Sequence, residues 1–366
     1  MINDKLINPS SIAVVGGSDD LMKPGGKILQ NIIEGGYSGS LMVVNPKQDV
    51  VQGVKSYRDI RDVPPVDLAI LAISSRYCLE AVDVLARQKN VKAFIIISAG
   101  FSETSEEGRK LEKEISSVIT ETNGCLIGPN CIGVVTRTYH GVFTTPVPLL
   151  SEKGCDFVSG SGETDLFIIE SALPKGLRFS SVFSVGNSAQ TGVEEVLEYW
   201  DLNFDPVRSS LIKLIYIESI SNPDKLLHHA SSLIRKGCRI AAIKAGTTEA
   251  GSRAATSHTG AMASSDSAVE ALFRKAGIVR CTGREELTTV ASVFMHKPIK
   301  GRNIAIITHA GGPAVMLTDA LSAGGMNIPK FSQDDQDEIL AMMNPGASAL
   351  NPIDMIATAT YDQLDK

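Results

Sequence analysis

At 366 residues the chain is longer than one ordinary core organises, so two or three domains are expected. Hydrophobic residues make up 43% and charged residues 21%, as in soluble globular proteins. A net charge of −6, no basic block and only 5% aromatics exclude a nucleic-acid-binding surface. The opening "MINDKLINPSS" has neither the cationic nor the apolar region of a leader peptide, and no apolar run approaches a membrane span. The six cysteines are scattered without a CxxC pair, so reduced thiols and a cytoplasmic setting are expected.

Taken in chain order, "SIAVVGGS" reads as a buried strand running into a glycine turn, and "GGKILQNIIEGG" as the helix after it. "SLMVVNP", "DLAILAIS", "VKAFIIIS" and "GCLIGPN" are four further strands, with helical spacing in "RYCLEAVDVLARQK" and "EEGRKLEKEISSVITET". Continuous apolar strands alternating with helices predict a parallel sheet covered on both faces. Residues 1–135 are therefore read as a doubly wound, Rossmann-like domain. "TRTYHGVFTTPVPLLSEKG" is turn-rich and reads as a linker. Strands resume in "CDFVSG", "SSVFSVG", "SLIKLIYIES" and "RIAAIKAG", predicting a second α/β domain at 150–297. "RNIAIITHAGGPAVMLTDALSAGG" opens a third at 300–366, too short to close by itself, so it is expected to be truncated.

Chemistry is sought at the carboxyl ends of the strands, where open α/β sheets bind ligands. The first turn, Gly16-Gly17-Ser18, lets the backbone approach a phosphate, although it is not GxGxxG. Strand 2 ends at Asn45-Pro46-Lys47, where a nicotinamide cofactor's ribose would call for an acid; Lys47 suits an extra phosphate instead. Ser74, Ser98, Gly100, Asn130 and Cys131 stand at the other strand ends and line the same expected crevice. In the second domain, Ser161 and Gly162 sit between a strand and a helix, where free backbone N–H groups can hold a phosphoryl group. Glu218 ends an apolar strand and would need a partner if buried. His258, in "AATSHTGAMAS", is surrounded by small residues that leave room for motion and for an anion, and it is the expected partner. His228 and His229 are expected to face solvent, and no metal-ligand spacing is seen.

The combination "SIAVVGGS", "VVNP", "VDLAILAIS", "IISAGF", "IGPNCIG", "SGSG", "SVGN", "TSHTGAMA" and "THAGGP", in that order, resembles the nucleoside-diphosphate-forming acyl-CoA synthetases, the superfamily of succinyl-CoA synthetase. The resemblance implies a Rossmann-like CoA-binding domain followed by flavodoxin-like ligase domains. It implies the interconversion of acyl-CoA, ADP and phosphate with free acid, CoA and ATP. In it, His258 is the phosphorylated histidine, Glu218 its supporting carboxylate, and Ser161 and Gly162 the phosphate turn. Gly17, Ser18, Lys47, Ser74, Ser98, Gly100, Asn130 and Cys131 fall in the CoA-binding segments. Coenzyme A and a small carboxylic acid are the implied ligands. ADP or ATP with Mg is implied on an ATP-grasp domain or beta subunit, absent here, and an oligomer is expected.

Two departures from the pattern stand out. Glu163 follows the phosphate turn, where the family carries a small residue, and His309 replaces an amide at the start of the third unit. Glu163 keeps a second reading open, a catalytically impaired CoA-responsive regulatory module related to protein acyltransferases. A dehydrogenase is disfavoured by the glycine spacing and by Lys47. The identity of the acid is decided by a few pocket side chains and is not legible.

Overall fold

The computed structural model describes residues 2–251, 253 and 265–365. The chain forms two compact units, Met1–His296 and Lys297–Lys366.

The first unit opens with the short helix α1 (Asp4–Ile7), followed by β1 (Ser11–Val15) and the helix α2 (Pro24–Glu34). Next come β2 (Ser40–Val44), β3 (Val50–Val51), β4 (Val54–Tyr57) and β5 (Leu68–Leu71). α3 (Cys78–Asp83), β6 (Ala93–Ile96), α4 (Glu106–Glu121) and β7 (Cys125–Ile127) complete the first layer set. The sheet order is β3-β4-β2-β1-β5-β6-β7, and every pairing is parallel except the β3–β4 hairpin. β5 and β6 are buried at every position, the consequence of helices on both faces. Pro24 begins α2, where its missing N–H costs nothing. Ser105 starts α4 by accepting a hydrogen bond from the Gly108 N–H at 3.0 Å.

A second seven-stranded sheet follows within the same unit. It contains β8 (Gly133–Val135), β9 (His140–Val142), β10 (Leu150–Ser159) and β11 (Phe179–Ser184). β12 (Ile212–Ile217), β13 (Arg239–Lys244) and β14 (Val279–Cys281) are the rest, in the order β14-β13-β12-β10-β11-β8-β9. Its helices are α5 (Gly162–Ala172), α6 (Val193–Leu202), α7 (Pro223–Arg235), α8 (Asp266–Ala276) and α9 (Arg284–Phe294). The five strands from β10 to β14 are parallel, as their unbroken apolar runs predict. β8 and β9 are an antiparallel addition to the edge, built partly from the stretch read as a turn-rich linker. Three-residue strands are too short to show an alternation, which is why the sequence pattern missed them.

An ion pair is buried in this second sheet. Lys213 on β12 is 1% exposed and pairs with Asp156 on β10, whose other oxygen accepts a 2.7 Å hydrogen bond from Ser181. The Lys213 ammonium also lies 5.1 Å from the Trp200 ring centre.

The two sheets are joined tightly. The Asn187 and Ala189 N–H groups donate to the Pro129 and Gly128 carbonyls at 2.9 and 3.1 Å. The Gln190 side chain accepts from the Leu126 N–H at 2.7 Å. The segment after β11 is thereby sewn to the end of β7, and this fixes the geometry of the site between them.

The unit Lys297–Lys366 carries β15 (Ile307–Thr308), β16 (Ser348–Ala349) and β17 (Ile353–Asp354) in the order β15-β17-β16, with helices α10 (Gly311–Ala323) and α11 (Gln333–Ala341). Asn351 knots it: its amide donates to the Ile304 and Pro329 carbonyls, and its oxygen accepts from the Ile306 N–H. His309 stands exposed at the end of β15.

All six cysteines are buried free thiols. No helix among the described residues is long and apolar enough to cross a membrane.

Candidate active site

Two groups of strand ends meet the sequence expectations in different ways. Gly17, Ser18, Lys47, Ser74, Ser98 and Gly100 all lie just beyond the carboxyl ends of β1, β2, β5 and β6, on one edge of the first sheet. The turn after β1 is pinned from β2 and the β3–β4 hairpin. Asn45 donates to the Gly17 carbonyl at 2.9 Å, and Gln52 donates to the carbonyls of Ser18 and Gly26 at 2.7 and 2.8 Å. Lys47 is exposed beside this turn, and Ser74 is exposed at the next strand end. Ser98 donates its hydroxyl to the Ile73 carbonyl, and the Gly100 N–H donates to Glu103 at 2.6 Å.

Close backbone approach sets the shape of this edge. A Cβ on Gly25 would lie 2.1 Å from the Gly16 carbonyl oxygen, so the start of α2 rests directly on the turn after β1. Replacing Gly25→Ala must push helix and turn apart. We expect a destabilisation of about 1–3 kcal/mol, read as a lower denaturation midpoint. An unchanged midpoint would show that this contact yields freely.

The second group converges on a cavity of 580 Å³ between the two sheets, lined by Asn130, Cys131, Ser161, Gly162, Glu163 and Glu218 among others. Asn130 holds a left-handed backbone, φ +57°, and its amide donates to Asn187 at 3.2 Å. Cys131 is 3% exposed and donates to the Ile96 carbonyl; burial pushes its thiol up to about 12, so it remains protonated. A Cβ on Gly162 would come 2.8 Å from Ile132, so glycine is what lets the first sheet's loop close over the α5 terminus.

Ser161 is the residue before α5, yet its side chain makes no capping bond; its hydroxyl accepts from Thr164 at 3.0 Å. A Ser161 that only served the helix would cap it. Here the terminus presents its backbone toward the cavity, with the positive end of the helix dipole. Glu163 is exposed, where water screens it.

Glu218 is half-buried just past β12 and accepts a hydrogen bond from the Tyr216 hydroxyl at 3.3 Å. Burial, then the nearby Glu218 charge, pushes the Tyr216 hydroxyl up to about 12, so it stays a donor. The loop carrying Glu218 is clamped by Glu194, a 4% exposed carboxylate that accepts from the Ser221 and Asn222 N–H groups at 2.7 and 3.0 Å. His258 lies outside the described residues, and so does the expected contact between it and Glu218.

Gly17, Ser18, Lys47, Ser74, Ser98 and Gly100 do not line this cavity; they form the other edge, which meets it through the β6 and β7 loops. Sequence reasoning missed Tyr216, Glu194 and Gln52. Tyr216 stands two residues before Glu218 on the same strand, a spacing that puts both side chains on one face and could have signalled it. Glu194 and Gln52 reach across long sequence separations and leave no local trace.

One expectation is corrected. His228 is exposed, but His229 is 8% exposed, with Nδ1 2.8 Å from Asp201. Asp201, His228 and His229 could converge on a cation, but the Lys236 ammonium already holds Asp201 at 2.7 Å.

The chain matches two family descriptions, a CoA binding domain over residues 10–137 and a succinyl-CoA ligase-like flavodoxin domain over residues 152–294. It is 34% identical over 357 residues to the alpha subunit of acetate–CoA ligase [ADP-forming] II of Pyrococcus furiosus, spanning 97% of this chain and 76% of that one. With acetate–CoA ligase [ADP-forming] I of Archaeoglobus fulgidus it shares 33% identity over 99% of its own length and 52% of the relative's. Among solved structures, dinucleotide-forming acetyl-coenzyme A synthetase 1 of Ca. Korarchaeum cryptofilum, in complex with phosphate and ADP, superposes with a TM-score of 0.86 at 32% identity. That match covers 97% of this chain and 76% of the neighbour's. The chain thus spans about three quarters of the alpha-subunit relative and about half of the longer one.

Proposed function

The chain belongs to the ADP-forming acetate–CoA ligase family, and from that premise we propose that it is the CoA-binding and phosphohistidine-carrying part of an acid–CoA ligase. CoA occupies the edge of the first sheet, with Gly17 and Ser18 at the backbone approach, Lys47 supplying charge, and Ser74, Ser98, Gly100, Asn130 and Cys131 along the crevice. Phosphate attacks the acyl carbon of acyl-CoA, releasing CoA and leaving an acyl phosphate. The neutral imidazole of His258 then takes the phosphoryl group, and the carboxylic acid leaves. The α5 terminus at Ser161 and Gly162 holds the transferred group through backbone N–H groups, while Glu218 accepts the other ring N–H of His258 and fixes which nitrogen attacks. Phospho-His258 finally gives its phosphoryl group to ADP, forming ATP on an ATP-grasp partner domain or subunit, where Mg neutralises the charge.

The observation carrying this reading is the single cavity in which Ser161, Gly162 and Glu218 face Asn130 of the first sheet. It supports a site where the acyl phosphate is made and consumed without crossing solvent. Glu163 lines the cavity but is exposed, so water screens its charge and weakens its repulsion of phosphate, and a purely regulatory module is not favoured. We propose the division 1–135, 150–297 and 300–366 for the CoA-binding domain, the phosphohistidine domain and a further ligase domain. A cytoplasmic oligomer acting on a small carboxylic acid completes the proposal.

The test uses acetyl-CoA and labelled inorganic phosphate with the full chain. We expect label that is retained after denaturation, stable to base and lost in acid, as for a phosphorylated imidazole. Folded protein that binds CoA but acquires no label would defeat the reading.

A further inference from the structure

The first turn of α5 carries two acids, Glu163 and Asp165, at the end assigned above to a phosphoryl group. Two negative charges there would cancel the potential that draws an anion. Glu163 is exposed to water. Asp165 is 0% exposed, and neither carboxyl oxygen has a hydrogen bond of good geometry, although the Ser159 and Ser184 hydroxyls lie close enough to favour its charged form.

Among the described residues its surroundings offer no counter-charge. From β10 comes the Ser159 hydroxyl, which donates to the Ser161 carbonyl at 2.9 Å and accepts from the Ser161 N–H at 3.1 Å. From β11 comes Ser184, whose oxygen accepts from the Ile132 N–H at 3.3 Å. The loop after β7 contributes the buried Cys131 thiol, and β12 the Tyr216 hydroxyl. Among the described residues no ammonium or guanidinium forms an ion pair with Asp165. A carboxylate sealed in such a place without a cation takes up a proton.

We propose that Asp165 is a proton-carrying positioning residue of the phosphoryl site: it remains a neutral acid beneath the Ser159–Gly162 turn while a phosphoryl group rests on the α5 terminus, and it ionises only when that group is gone. The proposal rests on the reading of α5 as the phosphoryl-holding helix. Burial pushes this carboxyl up to about 8, outweighing the pull of the Ser159 and Ser184 hydroxyls. The neutral form therefore dominates at neutral pH. A bound dianion a turn away raises its hold on the proton further, so phosphate binding and proton uptake are linked. Below pH 7 Asp165 itself exchanges no proton when phosphate binds, and any proton exchange there belongs to the ionisation of phosphate. Above about pH 8 it must first return a proton to Asp165, so affinity falls with rising pH.

The experiment titrates the full chain with inorganic phosphate by calorimetry between pH 6.5 and 9.5, in pairs of buffers of different ionisation heat. For the native chain we expect affinity to fall up to about tenfold per pH unit on the alkaline side, with a buffer-dependent heat that reports uptake approaching one proton. Asp165→Asn keeps the shape and hydrogen-bonding capacity without the titration; its affinity should stay flat across the alkaline range, with no buffer-dependent heat. The same alkaline fall in Asp165→Asn would overturn the proposal by assigning the proton elsewhere. Buffer-independent heats in the native chain at pH 8.5 would overturn it without any variant. An absence of phosphate binding at every pH would instead defeat the phosphoryl-site reading of α5, and this proposal with it.

Discussion

A chain carrying His258→Ala is expected to take up no phosphoryl label from acetyl-CoA and phosphate, a loss of at least about a thousandfold, while CoA affinity stays within about twofold. The asymmetry follows from where the parts sit. On the proposed reading the CoA crevice is built on the first sheet, from strand ends that precede residue 136, whereas His258 follows β13 in the sequence. On that same reading the substitution removes the imidazole that forms the P–N bond. A water molecule could replace it as acceptor, but that would hydrolyse the acyl phosphate and conserve nothing. The readout is the acid-labile label together with CoA affinity by calorimetry. Undiminished label in the variant would place the covalent step on another residue, and a parallel loss of CoA binding would show that the substitution disturbed the fold.

Asp156→Ala should have the largest effect on stability, about 3–5 kcal/mol, because it strands the Lys213 ammonium in the middle of the second sheet. Lys213 is 1% exposed and cannot reach water without breaking the packing between β10 and β12, where Trp200 covers it. The Ser181 hydroxyl would lose its acceptor at the same time. Denaturant unfolding at neutral pH measures the cost. Adding Lys213→Met to Asp156→Ala should recover most of it, since the pair's charges, not its volume, demand each other. If the single variant unfolds at the native midpoint, the ion pair is not an isolated charge couple and the assignment fails.

Much of this architecture is legible from local pattern. The runs "IAVV", "LAIL" and "FIII" have no polar interruption, because a parallel strand is covered on both faces, and "IKLIYI" is broken only by Lys213 and Tyr216; each is a strand at the position expected. Gly17, Ser161 and Glu218 could be marked because they stand one or two residues beyond apolar strands, where the chain must turn and where α/β sheets take ligands. The hairpin β8–β9 was not legible. Strand β8 owes its existence to pairing with β11, its residues Val134 and Val135 standing opposite Phe183 and Val182, and β9 to pairing with β8, not to any alternation of their own. His229 was misjudged for the same kind of reason: its partner Asp201 lies 28 residues earlier on another helix.

Sequence alone therefore determined the succession of strands and helices, the glycine turns that end β1 and β10, and the small-residue setting of His258. Each of these follows from chemistry within a few residues, where periodicity and turn preference act. Only the tertiary structure decided that Asn130, Ser161 and Glu218 share one cavity, that Glu163 is exposed to water there, and that Asp165 is buried with no ion pair among the described residues. Solvation and electrostatic environment are properties of what surrounds a group in space, and residues distant along the chain supply those surroundings.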